Sequence, residues 1–473
     1  MAQARYQYET SPRKLEPDYT RKSKQRPKRK PLKAVENMPR QQIKVSKEQR
    51  KRQLRTTVTV VGLFLLLLTI SCRNSQIDKQ FDKIQDQKKQ LAALQKENEQ
   101  LNVSIQNSVN ISTIEKVAKE ELAKIPEIDL VLGNNEKVEI VKYVEEYLNN
   151  HIDNIKLDDV MYSKQFSDFG DVTYTEKTRA VIKIQDGCDR FCSYCIIPYA
   201  RGRVRSRKPE SILSEITQIA SKGIKEVVIT GIHIASYGKD FAMSKDSKLE
   251  NYRLIDLLEE INEIKGIERI RLGSIEPLLI TEEFVGRLKK LEKICHHFHL
   301  SLQSGCDETL KRMNRRYTTE QFKEIVKILR KTYDDVNLTT DIIVGFPGET
   351  EEEFNKTYQF LEEIKFYKMH VFKYSPRKGT KAAVMPNQIA GNIKEERSKR
   401  LIELSDKNEM EYNESYIGKK VEVLFEEEKS ETYKGHTQNY IMVHCKSDKN
   451  LDNKIVKVIC KKAEKEHIES EVL

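Results

Sequence analysis

Between residues 178 and 375 the chain alternates short apolar runs with longer, charged stretches. The runs are AVIKIQ from Ala180, EVVITG from Glu226, RIRLGS from Arg269, HFHLSL from His297, NLTTDIIVG from Asn337 and MHVFKYS from Met369. They are rich in β-branched and aromatic residues, which suit a pleated surface, and the charged stretches between them read as helices. Six such strands with helices between them predict an α/β fold, a parallel sheet curled into a barrel or partial barrel. The last 60 or so residues change to short alternating strands with turn signals, the pattern of a small β-barrel.

Upstream the periodicity differs. IPEIDLVLGNNEK (Ile125 to Lys137) reads as a short strand ending in a Gly-Asn turn, VEIVKYVEEYLNN (Val138 to Asn150) as an amphipathic helix, and residues 151–173 as a polar linker. Ile77, Ile84, Leu91, Asn98 and Ile105 recur every seven residues, with Leu94 and Leu101 at the d positions. That seam predicts a parallel coiled coil over 76–112, with Asn98 fixing register and favouring a dimer. A solvated single helix is the alternative. Thr56 to Cys72, TTVTVVGLFLLLLTISC, is uncharged and reads as a single transmembrane helix at the short end of what crosses a bilayer. Residues 1–55 show no apolar period, and their Lys/Arg/Pro/Gln-rich composition predicts a disordered tail held on the cytoplasmic side.

A length of 473 residues suggests about three domains. The net charge of +11 is unevenly placed: residues 1–55 hold 18 Lys and Arg against 5 Asp and Glu, and the other 418 hold 66 against 68. The basic balance therefore belongs to the tail and argues nothing about the partners of the rest. Eight cysteines are scattered along a long chain, which excludes a disulfide-stapled secreted domain and points to a reducing compartment.

Three of the eight cluster. GCDRFCSYCIIPYARGRVRSR starts at Gly187, directly after the first strand, and spaces Cys188, Cys192 and Cys195 as C-x3-C-x2-C. Three thiolates on one loop can hold three irons of a [4Fe–4S] cluster and leave the fourth iron open. A zinc site would want a fourth protein ligand, and the nearest histidine is His233. The loop follows the C-terminal end of a strand, where barrel folds place their active sites.

The spacing, with Tyr194 before the third cysteine, resembles the radical S-adenosylmethionine (radical SAM) superfamily. The resemblance implies that S-adenosylmethionine chelates the open iron and is cleaved to a 5′-deoxyadenosyl radical. It also implies an electron donor such as flavodoxin or ferredoxin, and a place for Tyr194 against the adenine unless that ring simply packs the loop. IIPYARGRVRSR (Ile196 to Arg207), VVITGIHIASYG (Val227 to Gly238), SLQSGCDETLKRMNRRYT (Ser301 to Thr318) and DIIVGFPGETEEEF (Asp341 to Phe354) narrow the match to methylthiotransferases, covering about 125–473. TGIHIASYG is most similar to those acting on N6-threonylcarbamoyladenosine at position 37 of tRNA. Gln303, Ser304, Asp341 and Glu349 are then candidate cofactor-binding residues, with turn-making or helix capping as the alternative. Arg201 and Arg203 are candidates for tRNA phosphate, with a solvated charged face as the alternative. Residues 174–405 form the radical SAM core by this reading. The segment 410–473, through YKGHTQNY, resembles a TRAM domain, which makes Tyr433, Lys434, His436 and Tyr440 candidate RNA contacts unless they pack the barrel.

The chain also departs from that family. Methylthiotransferases carry a second cluster on three cysteines of an N-terminal domain, and here no cysteine lies between Cys72 and Cys188. Residues 125–165 resemble only a remnant of that domain. Residues 1–124 instead resemble FtsL-type cell-division proteins in their basic tail, single span and coiled coil. A membrane anchor with an enzyme outside the cytoplasm conflicts with cytoplasmic tRNA chemistry, so the chain reads as two unrelated frames joined near Lys124. The rival readings are a membrane-anchored division scaffold and a radical SAM enzyme with another substrate.

Overall fold

The computed structural model describes residues 83–88, 90, 122, 125–149, 155–156, 160–163, 165–168, 178–243, 247–429 and 431–473. The expected tail over 1–55, the span over 56–72 and the junction at Lys124 lie outside the described residues. Of the expected coiled coil, only 83–88 and 90 are described; they are helical, and Ile84 is half exposed. Among the described residues no helix is long and apolar enough to cross a membrane.

Six parallel strands form where the apolar runs placed them: β3 (Arg179–Asp186), β5 (Glu226–Gly231), β6 (Arg269–Leu272), β7 (His297–Gln303), β8 (Asn337–Val344) and β9 (Lys368–Lys373). They make two sheets. One has the order β4-β3-β5-β6, with β4 (Arg205–Ser206) antiparallel at its edge; the other has the order β7-β8-β9. Between β6 and β7 the ladder is reduced to two single bridges, Ile270–Ile294 and Ile275–Leu300. The sheet curls without closing, a partial barrel.

Side-chain alternation explains why the runs are only half apolar. On β3 the residues Ala180, Ile182 and Ile184 are fully buried against the helices, while Val181 is 55% exposed on the opposite face. The same inner face carries Lys183, Gln185, Thr230, Arg271, His299 and Asp341, so the arch has a polar lumen and an apolar outer layer. Helices start where the local chemistry dictates. Thr350 accepts from Glu353 N–H at 3.2 Å and Glu353 reaches back to Thr350 N–H at 3.3 Å, opening the helix Glu351–Ile364.

The C-terminal strands β10 (Lys420–Lys429), β11 (Thr432–Thr437), β12 (Met442–Lys446), β13 (Ile455–Ala463) and β14 (Ile468–Val472) close into a small barrel, as their alternation suggested. It docks on the N-terminal ends of the core strands. Arg179 reaches Glu426 at 2.6 Å, Arg269 donates to the His436 carbonyl at 2.9 Å, and Tyr440 enters the bottom of the lumen. One helix, Gly391–Glu414, runs without interruption through the position where a junction between core and barrel was expected.

The stretch before the core is slight. β1 (Val131–Leu132) pairs in parallel with β2 (Ile155–Lys156), which lies inside the expected linker. The helix Ile140–Leu148 between them buries none of its residues, and Val141 and Leu148 are about 70% exposed.

Candidate active site

β3 ends at Asp186, and Gly187 turns the chain out of the sheet at φ +72°. A Cβ there would stand 1.9 Å from the Arg203 carbonyl oxygen, so both the angle and the space require glycine. The loop that follows is tied down by distant segments. Cys188 N–H donates to Gly202 O at 3.0 Å, and Ser193 donates its N–H to Met313 O and its hydroxyl to Arg312 O. Ala382 N–H donates to Ser193 O at 2.7 Å, and the Asn314 amide to Phe191 O at 2.9 Å. Cys188, Cys192 and Cys195 are thereby held, free and partly exposed, at the mouth of the arch.

Burial pushes the Cys188 thiol up to about 11 and raises Cys195 as well. Metal ligation must therefore displace protons from them. Donors for the thiolate form are in place: Arg315 Nη1 stands 3.5 Å from Cys192 Sγ, and Arg190 N–H 3.4 Å from Cys188 Sγ. The donor set fits a cubane, whose irons take one thiolate each, rather than one zinc.

A charged network closes the mouth beside the loop. Arg190 pairs with Glu276 and sets its Nε 3.4 Å from His233 Nε2. His233 is oriented by Ser236 Oγ at 2.8 Å and by its own N–H donating to Gln185 Oε1 at 2.7 Å. Burial works against the Glu276 charge, yet His233, Arg190 and Arg315 hold its carboxyl below the usual range. Arg190, Glu276 and Arg315 were not singled out from the sequence. Arg190 and Glu276 are 86 positions apart, and nothing local joins them. The one available signal was that Arg190 sits between two of the cysteines.

The predicted cofactor residues part company. Tyr194 lies edge-on to Phe346 with ring centroids 6.4 Å apart, beside Met313, Tyr374 and Ala382, in packing contacts. Gln303 ends β7 at φ +72°. Asp341 faces the lumen, 3.1 Å from His299 Nε2, whose Nδ1 meets Thr339 Oγ1 at 2.9 Å. Ser304 is buried and accepts Cys306 N–H at 3.3 Å, the turn-making alternative. Glu349 is also buried, and its carboxylate is taken by Arg397 at 3.0 Å and by Gly345 N–H. Burial raises its acid, and its partners tie the loop to the helix Gly391–Glu414 rather than present it to a ligand.

The arginine string does not form one face. Arg201 donates to Asn134 at 2.5 Å, and Arg203 lies 3.3 Å from Asp189 and over the Phe191 ring. Arg205 and Arg207 are buried, the latter pairing with Glu215 and Asp168.

Three of the four candidate RNA contacts, Tyr433, His436 and Tyr440, make packing contacts within or beneath the small barrel. Tyr433 packs inside the small barrel against Phe425. Tyr440 stacks with His297 and with His436, centroids at 4.7 and 4.5 Å, and Arg271 stands 4.5 Å above its ring. These aromatic and basic groups join the two domains. Lys434 stays half-exposed, as does Tyr440.

Residues 182–361 match the model of the Radical SAM superfamily. The chain is 40% identical over 349 residues, 72% of its length and 76% of the relative's, to the threonylcarbamoyladenosine tRNA methylthiotransferase MtaB of Bacillus subtilis (strain 168). It is 40% identical to the enzyme of that name from Aquifex aeolicus (strain VF5), over 73% of this chain and 80% of the relative. It is 39% identical to a tRNA-2-methylthio-N(6)-dimethylallyladenosine synthase of Thermoanaerobacter sp. (strain X514), over 70% and 69%. Three thiols on a pinned loop at the mouth of a six-stranded arch, with relatives of this coverage, place the chain in the radical SAM methylthiotransferases, among enzymes of the MtaB type.

Proposed function

We propose that this chain is a tRNA methylthiotransferase that modifies N6-threonylcarbamoyladenosine at C2, at position 37. The observation that carries the reading is the loop of Cys188, Cys192 and Cys195, opening on a polar lumen, in a chain 40% identical to two MtaB enzymes. Relatives named for dimethylallyladenosine match almost as closely, so identity alone does not select the base; the segment Thr230 to Gly238 favours the threonylcarbamoyl reading.

The family binds a [4Fe–4S] cluster and S-adenosylmethionine, and Cys188, Cys192 and Cys195 would be the cluster's ligands. When bound, that pair supplies one-electron cleavage and a carbon-centred radical able to take hydrogen from an unactivated C–H bond. The chain's own residues do the positioning. Arg315 and the Arg190 amide hydrogen-bond two of the ligand sulfurs, and the Arg190–Glu276–His233 network fixes one wall of the mouth. Asp341 and His299 offer polar groups from the lumen. A flavodoxin or ferredoxin would deliver the electron, and the reaction belongs in the cytoplasm. Membrane attachment through 56–72 and dimerisation through 76–112 remain part of this proposal for the N-terminal segment.

Sulfur supply is where this chain differs from the family pattern. Cys295, Cys306, Cys445 and Cys460 are all buried, and none falls at the positions of the family's second cluster, which lies in the N-terminal domain. The reading therefore assigns cofactor cleavage to this chain and leaves the sulfur to come from outside the described residues. Anaerobic reconstitution should give about four irons per chain, with reductive cofactor cleavage abolished by Cys192→Ala. Mass analysis of tRNA nucleosides from a methylthiotransferase-deficient strain carrying this chain then tests the substrate. Methylthio-threonylcarbamoyladenosine supports the reading, and its absence beside methylthio-dimethylallyladenosine overturns it.

A further inference from the structure

On the outer face of the small barrel, three side chains with lone pairs converge. His444 lies on β12 and Glu469 on β14, and the two are paired in register across a parallel ladder of three residue pairs, Val443–Ile468, His444–Glu469 and Cys445–Ser470. That ladder is the one parallel pairing in an otherwise antiparallel barrel. His467 sits in the turn that leads into β14, held by Glu464 N–H donating to its carbonyl at 2.8 Å. One ligand atom from each of His444, His467 and Glu469 lies within 4.8 Å of the others.

The separations suit a small cation. His467 Nε2 stands 2.9 Å and His444 Nδ1 3.8 Å from the same Glu469 oxygen. Ligands at zinc–nitrogen and zinc–oxygen bond lengths lie about 3.3 Å apart around a tetrahedral ion, so the observed pair brackets the requirement. The rings are stacked with centroids 3.7 Å apart and inclined by 24°. Two imidazoles and a carboxylate are a donor set that transition ions prefer, and binding would turn the two rings so that their in-plane lone pairs meet at one ion. Side-chain exposures of 18% and 23% for the histidines and 40% for the glutamate leave the site open to solvent on one side.

We propose that His444, His467 and Glu469 form a binding site for a divalent transition-metal ion of the zinc class. It is separate from the thiol loop, which lies at the mouth of the arch. Two nitrogens and one carboxylate oxygen come from the protein, and a fourth position is left to water or an outside ligand. Bound there, the ion clips β14 to β12 at the short parallel seam that completes the barrel.

The test uses untagged holoenzyme, whose cluster iron already occupies the thiolates, dialysed anaerobically against Zn2+ alone and read by elemental analysis. About one zinc per chain should be retained with iron unchanged, and His467→Asn or Glu469→Gln should weaken zinc binding at least about tenfold while leaving iron as it was. A second measurement needs no variant: substoichiometric Ni2+ added to histidine-labelled protein should broaden the ring signals of His444 and His467 before those of the other seven histidines. Zinc retained equally by the variants, no zinc retained at all, or broadening that begins at other histidines would overturn the proposal.

Discussion

Gly187 shows how one residue can set the loop that carries the chemistry. Its φ of +72° costs a substituted residue about 1–2 kcal/mol in left-handed backbone alone, and the Arg203 carbonyl occupies the place of the new Cβ. Gly187→Ala should therefore shift Cys188 and lower iron occupancy at limiting iron by at least about tenfold, equivalent to about 1.4 kcal/mol; iron analysis of reconstituted protein checks it. Arg315 acts through charge. It hydrogen-bonds Cys192 Sγ and the Ser301 carbonyl, and its guanidinium lies 5.0 Å from the Tyr317 ring centroid. Hydrogen bonds to ligand sulfurs raise a cluster's reduction potential. Arg315→Gln should then move the cluster midpoint to more negative values in an anaerobic titration, with iron content largely retained. The cysteines and Gly187 were legible in the sequence as a spacing and a turn residue. Arg315 was not, because its role exists only where a distant helix end returns to the loop.

At the level of elements, the contact between arch and small barrel turns on one buried carboxylate. Glu226 at the start of β5 is ringed by Arg271 at 2.7 Å, Arg179 at 3.9 Å and Arg269 at 4.0 Å. Burial works to raise its pKa, but the three guanidinium groups outweigh it and hold the acid below its ordinary value of 4.5. The two basic side chains from β6 also donate to carbonyls of Glu422, His436 and Gln438, so the carboxylate organises the docking surface. A depressed carboxylate contributes stability above its unfolded pKa and loses it as the pH falls through the lower folded value. Acid should therefore loosen the barrel from the arch below about pH 4.5. Glu226→Gln, which leaves the buried Arg269 and Arg271 without their carboxylate, should cost about 3–5 kcal/mol at neutral pH and flatten that acid limb. Denaturant titrations of both proteins at several pH values would show it. His436 and Tyr440 looked like base-stacking groups in the sequence because aromatic and basic residues serve RNA and domain contacts equally well. In the structure the docking of the barrel onto the strand starts puts both residues at the domain contact.

For the molecule as a whole, the apolar core and the small barrel's own cluster both lie after residue 178. A chain restricted to 125–473 should keep its cooperative unfolding and its cofactor cleavage within about 1 kcal/mol and a few-fold of the full chain. Calorimetry and a 5′-deoxyadenosine assay would decide this, and loss of cleavage on truncation would mean that the first 124 residues take part. What the sequence determined by itself was local: the six strands from period-two alternation and β-branched runs, the closing β pattern, the glycine turn and a trio of thiols close enough in the chain to share one loop. Those follow from steric and hydrophobic preferences that act within a few residues. What only the tertiary structure decided was which charged and aromatic groups meet. Glu349 and Ser304 look like pocket residues in the sequence, yet they are taken up by Arg397 and a turn; Glu276 and Arg315 carry no local mark, yet Glu276 pairs with Arg190 on the thiol loop and Arg315 reaches Cys192 Sγ. The reason is that long-range charge pairing depends on how distant segments return to one another. A side chain's type records what it can bond, and only the fold supplies the partner.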